Sequence, residues 1–204
     1  GHAPVGGERY FHFDKELFDL CPDHINLDGF FQTEKYFKHI EDEIRKEFTF
    51  HEDILGPCIE MVDSLDSAPI FLHVRRGDPN LVDPRGFKWS YTECSDQHPP
   101  QPLEYYEKAL ELFPEDVPVV VCSDSPEWVQ EQEIFKPDRF AISIPEDKYD
   151  DGSYEPFIDL CLMSLCSGAI IANSTMSWWG AWLQGGRGKV VAPKMWFGPA
   201  YPNN

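Results

Sequence analysis

An apolar run that ends in two arginines is the first chemistry this sequence offers. Ile70-Phe71-Leu72-His73-Val74 leads directly into Arg75-Arg76-Gly77-Asp78, the only Arg-Arg pair in the chain. A guanidinium keeps its charge at every working pH and grips phosphate oxygens through a two-pronged fork. Two more stretches repeat the pattern of an apolar run and then a polar turn. One runs into Ser123-Asp124-Ser125-Pro126-Glu127, the other into Asn173-Ser174-Thr175-Met176-Ser177. Small hydroxyl residues at the start of a helix present free backbone N–H groups and the positive end of a dipole, a natural phosphate seat. Plainer readings of the same residues stay open. The arginines could be a surface pair or an adhesive Arg-Gly-Asp tripeptide, Ser174 or Thr175 an N-cap, and Asp124 a capping carboxylate.

Elements of a particular kind are needed to bring these turns together. Short apolar runs bounded by Gly and Pro read as buried parallel strands. They are expected at 69–74, 117–122, 140–144, 169–172 and 189–192. Between them lie helical patterns at 103–112, at 126 onward with Ser125 as N-cap and Pro126 first in the helix, at 157–167 and at 176–183. Strand and helix in alternation predict an α/β fold with a doubly wound, Rossmann-like parallel sheet. In such sheets ligands bind at the carboxyl ends of the strands, where all three polar turns fall. Upstream, 33–48 has helical spacing with Thr33 as N-cap, 50–57 reads as a connector and 59–65 as a short helix. Residues 1–8 read as a flexible or appended leader, and 79–102, rich in proline, as a long loop, functional or disordered.

Composition narrows the partners. The net charge of −19 argues against nucleic acid or an anionic membrane surface, both of which need a positive face. It also makes Arg75 and Arg76 a local exception in a repulsive field. The six cysteines show no metal-binding spacing. Cys122, Cys161 and Cys166 read as core thiols, which favours a reducing compartment. No apolar stretch reaches the ~18 residues of a membrane-spanning helix. Asp159 falls in the first turn of an apolar helix, where a carboxylate needs a donor. The paired N–H groups of guanine would serve, and so would a backbone cap. Weaker candidates are an acidic turn at 147–152, read as solvated rather than calcium-binding, and His98, a lone loop histidine. Trp178, Trp179 and Trp182 are placed in the core rather than against a sugar.

Taken together, the motifs resemble glycosyltransferase family eleven, the α-1,2-fucosyltransferases. The resemblance rests on His73-Val74-Arg75-Arg76-Gly77-Asp78, on 122–129, on 159–164 running through 171–182, and on Gly29-Phe30-Phe31-Gln32-Thr33-Glu34-Lys35-Tyr36-Phe37 upstream. It implies the GDP-sugar-binding lobe of a GT-B enzyme, with GDP-fucose as donor and inversion at the anomeric carbon. It also implies a galactose-containing glycan as acceptor, no cofactor and no obligatory metal. Carried onto this sequence, it gives His73 to the nucleoside, Arg75 to the β-phosphate and Arg76 to the loop or a second charge. Asp124 joins the donor site, Asp159 reads guanine, and Asn173, Ser174 and Thr175 receive the pyrophosphate. Arg75 and Asp78 are the expected catalytic groups. The glycine-rich segment with which the family begins is not present, so the expected division is a remnant of the acceptor lobe at 1–57 and a donor domain at 58–204. An oligomer or a further lobe is then expected to complete the cleft. A non-catalytic nucleotide-sugar-binding module is the other function class. The expected location is the cytoplasm or the cytoplasmic side of a membrane, with a Golgi-lumenal fragment left open.

Overall fold

The computed structural model describes residues 5–9, 12–77, 95–144 and 156–201. Asp78, Cys94, the greater part of the long loop and the acidic turn at 147–152 lie outside the described residues. The chain forms two compact units, Gly1–Thr49 and Phe50–Pro202.

In the first unit, β1 (Val5–Gly7) pairs in parallel with β2 (Asn26–Asp28), with α1 (Lys15–Leu20) between them. Residues 5–7 are therefore a strand and not a leader. The reason is local packing: Gly6 runs so close to Ile25 that an added Cβ would stand 2.9 Å from Cδ1 of Ile25. Asp14 caps α1 by accepting from the backbone N–H of Leu17, and Arg9 grips the same carboxylate at 2.6 and 2.7 Å. That pairing holds the Asp14 carboxyl well below the usual carboxylate range. Tyr36 donates to Glu8 and accepts from the Asp14 backbone, with Phe13 and Phe31 edge-on to its ring. The helix expected over 33–48 is broken. Two 3-10 turns, Glu34–Tyr36 and Lys38–Ile40, precede α2 (Glu41–Glu47), because Phe37 leaves helical geometry at φ −128°.

The second unit opens with α3 (Glu52–Asp63), which runs through the expected connector and through Pro57. The helix tolerates the proline because its ring faces solvent and it deletes only the bond to the Asp53 carbonyl. The rest is β3 (Ile70–Val74), α4 (Leu103–Leu110), β4 (Val119–Ser123), α5 (Pro126–Glu131), β5 (Phe140–Ile142), α6 (Pro156–Leu165), β6 (Ala169–Ile170), α7 (Thr175–Leu183) and β7 (Val190–Val191). The five strands of this unit pair in parallel in the order β5-β4-β3-β6-β7. Each of β3 and β4 is buried on both faces, which is why its sequence is apolar without alternation. Period-two geometry still sorts the residues. Phe71, Val120 and Cys122 pack with Cys58 of α3 and with Cys161, Leu162 and Met163 of α6. Ile70, Leu72, Val74, Val119 and Val121 pack with Tyr106 and Ala109 of α4 and Val129 of α5.

The tryptophans depart from expectation. In α7 the buried residues are Ser177 and Gly180, while Trp178, Trp179 and Trp182 are half-buried and stack edge to face. The two backbones come too close for indoles, since a Cβ on Gly180 would lie 2.6 Å from the Cβ of Met163. Gly180→Val should therefore cost roughly 1–3 kcal/mol through overpacking of α7 on α6. Urea unfolding checks this, with a lower midpoint and an unchanged slope as the expected result.

Candidate active site at the carboxyl edge of the sheet

Strand order reverses between β3 and β6, the switch point at which open α/β sheets bind ligands. Register fixes what meets there. Leu72 lies opposite Ile170, and Val74 opposite Ser123. One residue beyond that level the chain carries Arg75 after β3 and Asp124 after β4. Asn173 and Ser174 leave β6 close to the same height.

Asp124 organises this edge. Its carboxylate accepts from Nη1 of Arg75 at 2.6 Å, from the backbone N–H of Arg76 at 3.0 Å and from that of Gly77 at 2.7 Å. Gly77 sits at φ +72°, a conformation that glycine adopts without strain and that turns its N–H back toward the carboxylate. The Arg76 guanidinium lies over the ring of Trp128, 4.0 Å from its centroid, in the first turn of α5. The arginine loop is thus tied to the β4 turn on one side and to α5 on the other. Ser123 supports the turn by accepting from the N–H of Ser125, and Ser125 makes no side-chain cap.

His73 is 2 % exposed, and its Nδ1 has no hydrogen-bond partner among the described residues. Burial pushes its pKa down to about 4, with the charge of Asp124 opposing and that of Arg75 adding. The imidazole is neutral at physiological pH. Asp159 is 6 % exposed and already provided with donors. It accepts from Ser143 Oγ at 2.6 Å, and the Cys122 thiol and Ser123 N–H also bond to it. Burial raises its pKa to about 6 against those three bonds, and Asp124 adds to the rise.

Asn173 is buried and turned to its neighbours. Its amide donates to the carbonyls of Pro99 at 3.0 Å and Trp196 at 3.1 Å and accepts from Gln101 at 3.1 Å. It fastens two loops over the end of β6. Ser174 is the N-cap of α7 in extended backbone geometry, yet its side chain makes no cap bond. Thr175 begins the helix and is exposed. The hydroxyls and the first N–H groups of α7 thus form a polar end at the switch point.

The sheet therefore gathers His73, Arg75, Arg76, Asp124, Asn173, Ser174 and Thr175 at one edge. Asp159 stands behind that edge, in its own buried network. Sequence reasoning passed over Gln101, Ser143 and the stacking role of Trp128, none of which has a local signal. Among the described residues no group of three or more His, Cys, Asp or Glu side chains could hold a metal ion. No helix among them is long and apolar enough to cross a membrane.

A family model described as glycosyl transferase family 11 matches residues 6–201. The chain belongs to that family. The motifs around Arg75, Asp124 and Ser174 had pointed to the same place. Among its curated relatives, the O-antigen biosynthesis glycosyltransferase WbnK of Escherichia coli is 34% identical over 181 residues, covering 84% of this chain and 55% of the relative. The alpha-1,2-colitosyltransferase of Escherichia coli is 27% identical over 191 residues, 91% of this chain and 60% of the relative. The galactoside alpha-(1,2)-fucosyltransferase 1 of Alouatta caraya is 28% identical over 199 residues, 91% and 50%. The chain spans about half the length of these curated relatives. Among solved structures, fucosyltransferase NodZ from Bradyrhizobium aligns with a TM-score of 0.48 at 16% identity, covering 81% of this chain and 54% of that one.

His73 and Asp159 titrate in opposite senses. Asp159, raised in the fold, contributes stability that is complete below pH 3.8 and lost as pH rises through about 6. His73, lowered in the fold, contributes stability that is complete above pH 6.5 and lost as pH falls toward about 4. The two nearly cancel across that window. Asp159→Asn removes one of them, so its stability relative to the unaltered chain should fall by roughly 3 kcal/mol between pH 7 and pH 4. Urea unfolding of both proteins across that range is the measurement, and a constant difference would reject the assignment.

Proposed function

We propose that residues 58–204, with the start of α3, form the donor-binding domain of an inverting, metal-independent α-1,2-fucosyltransferase. The donor is GDP-fucose and the acceptor a hydroxyl of a galactose-containing glycan. The observation that carries the reading is the meeting of the Asp124-held Arg75 loop with the start of α7 at the strand-order switch, in a chain of family 11. The names of the relatives support the sugar and the linkage, with fucose and colitose both represented.

Transfer with inversion forms a bond from the acceptor oxygen to the anomeric carbon while the bond from that carbon to the diphosphate breaks on the opposite face. The electron pair leaves on the diphosphate, so negative charge grows there. Arg75 and the first N–H groups of α7 stand ready to meet it, and such preset donors act most strongly on charge that appears in the transition state. The acceptor proton needs a base. Asp78 is our candidate, and it lies outside the described residues. We assign Asp159 to the guanine end of the site. It holds Ser123 and Ser143 at the β4 edge, and guanine would have to share a carboxylate that already has donors.

Arg75→Ala should lower GDP affinity about tenfold or more, the value of one charged hydrogen bond of ~1.5–3 kcal/mol. Arg75→Lys should recover only part of it, since lysine brings charge without the fork. Guanosine, which lacks phosphates, should bind all three proteins alike. Calorimetric titration of this chain decides the matter, and unchanged GDP affinity in Arg75→Ala would make the arginine structural.

The same titration in excess chelator and with added manganese should give equal GDP affinities, because guanidinium and helix end supply the positive charge. Saturable strengthening by manganese would overturn the metal-independent reading. UDP and a donor carrying colitose belong in the panel, and UDP binding as tightly as GDP would remove the guanine assignment.

A further inference from the structure

Nothing in the motifs marks His98, yet the fold brings it to the donor edge. Its neighbour Pro99 is held by Asn173 at 3.0 Å, and Gln101 bonds back to Asn173 at 3.1 Å. Asn173 directly precedes the N-cap of α7, so the 98–101 segment is fastened beside the start of that helix. The half-buried imidazole stands against the rings of Phe197 and Tyr201, at 5.6 and 6.4 Å between centroids. The charge of Arg75, on the turn after β3, acts on the imidazole against its protonated form.

We propose that His98 belongs to the donor site and carries a proton when a nucleoside diphosphate is bound but not when the site is empty. This rests on the donor-site reading above. In the empty site, burial first and then the Arg75 charge disfavour the protonated ring. A bound diphosphate brings negative charge to Arg75 and α7, so the field at His98 changes sign and the ring takes up a proton. The imidazolium then donates to the leaving diphosphate and becomes a second cation there. The pairing of Arg75 with Asp124 makes that addition useful, because a paired guanidinium presents little net charge.

The groups around the ring are consistent with this. The Arg75 charge, itself paired with Asp124, acts on the ring, Tyr201 packs against it from the C-terminal segment, and Asp96 lies on its own loop. The start of α7 adds only a positive dipole end. His73 stays neutral down to about pH 4 and does not titrate in the same window.

The test is calorimetric titration with GDP from pH 6 to pH 8, in buffers of different ionisation heat, on the unaltered chain and on His98→Gln. The unaltered chain should take up a proton on binding, and its affinity should strengthen about tenfold as pH falls if the ring gains one pKa unit. His98→Gln should show only the small proton exchange of the nucleotide itself. Guanosine should cause no uptake in either protein. NMR titration of the imidazole in the unaltered chain, with and without GDP, reads the same shift without a variant. GDP binding with identical proton uptake in both proteins, or an unmoved imidazole titration, would overturn the proposal. No GDP binding at any pH would instead sink the donor-site reading on which it stands.

Discussion

One carboxylate holds the candidate site together. Asp124 accepts from the side chain of Arg75 and from the backbones of Arg76 and Gly77, so a single group sets both the position and the direction of the arginine loop. In a chain of net charge −19, an arginine on a loose loop would have many acidic partners to choose from. The two backbone bonds remove that choice by making the loop itself part of the ion pair. Ordering is then completed during folding, and a ligand does not have to supply it. The same pairing limits the positive field at the edge, so the proposed anion recognition is shared with the N-terminus of α7.

Behind this edge, the sheet buries two ionisable groups on opposite terms. His73 has given up its charge to be buried, and Asp159 keeps its own near neutral pH only through Ser143, Cys122 and Ser123. Two of those donors come from the end of β4 and the third directly follows β5, so Asp159 ties α6 to the strand ends from which the Asp124 turn springs. A buried polar network of this type is stable only when every member is satisfied. Asp159 meets that demand. The Nδ1 of His73, in the neighbouring strand, has no hydrogen-bond partner among the described residues.

Much of this was legible before the fold was seen. Apolar runs of strand length, punctuated by Gly and Pro, located the five strands of the main sheet, most clearly β3 and β4, which are buried on both faces and so are almost wholly apolar. The polar turns that follow them located Arg75, Asp124 and Ser174. Local reading failed where tertiary packing decides. Val5–Gly7 is a strand only because Asn26–Asp28 comes to lie beside it. Pro57 lies inside a helix, where its exposed position keeps it out of the core. The tryptophans of α7 stay half-buried, and Gly180 takes the face against Met163, where an added Cβ would have no room. Asn173 looked like a ligand-facing residue, yet its amide is committed to Pro99, Gln101 and Trp196, partners far away in sequence.

That last arrangement sets how the third wall of the site is built. The segment before α4 and the C-terminal segment hold each other through backbone bonds, Gly198 to Gln97 at 2.9 Å and Ala200 to Asp96 at 2.8 Å. Gly198 has to be glycine here, since a Cβ would fall 2.4 Å from the carbonyl oxygen of Asp96. The pair is then fastened to β6 by the single amide of Asn173. His98 sits inside this assembly, so its place relative to Arg75 depends on a glycine and an asparagine that need never touch a ligand. Strand register brings Arg75, Asp124 and Ser174 to one level, but register alone cannot bring a loop residue to them. Backbone contact with the far end of the chain does so, and no spacing of residues along the sequence would have announced it.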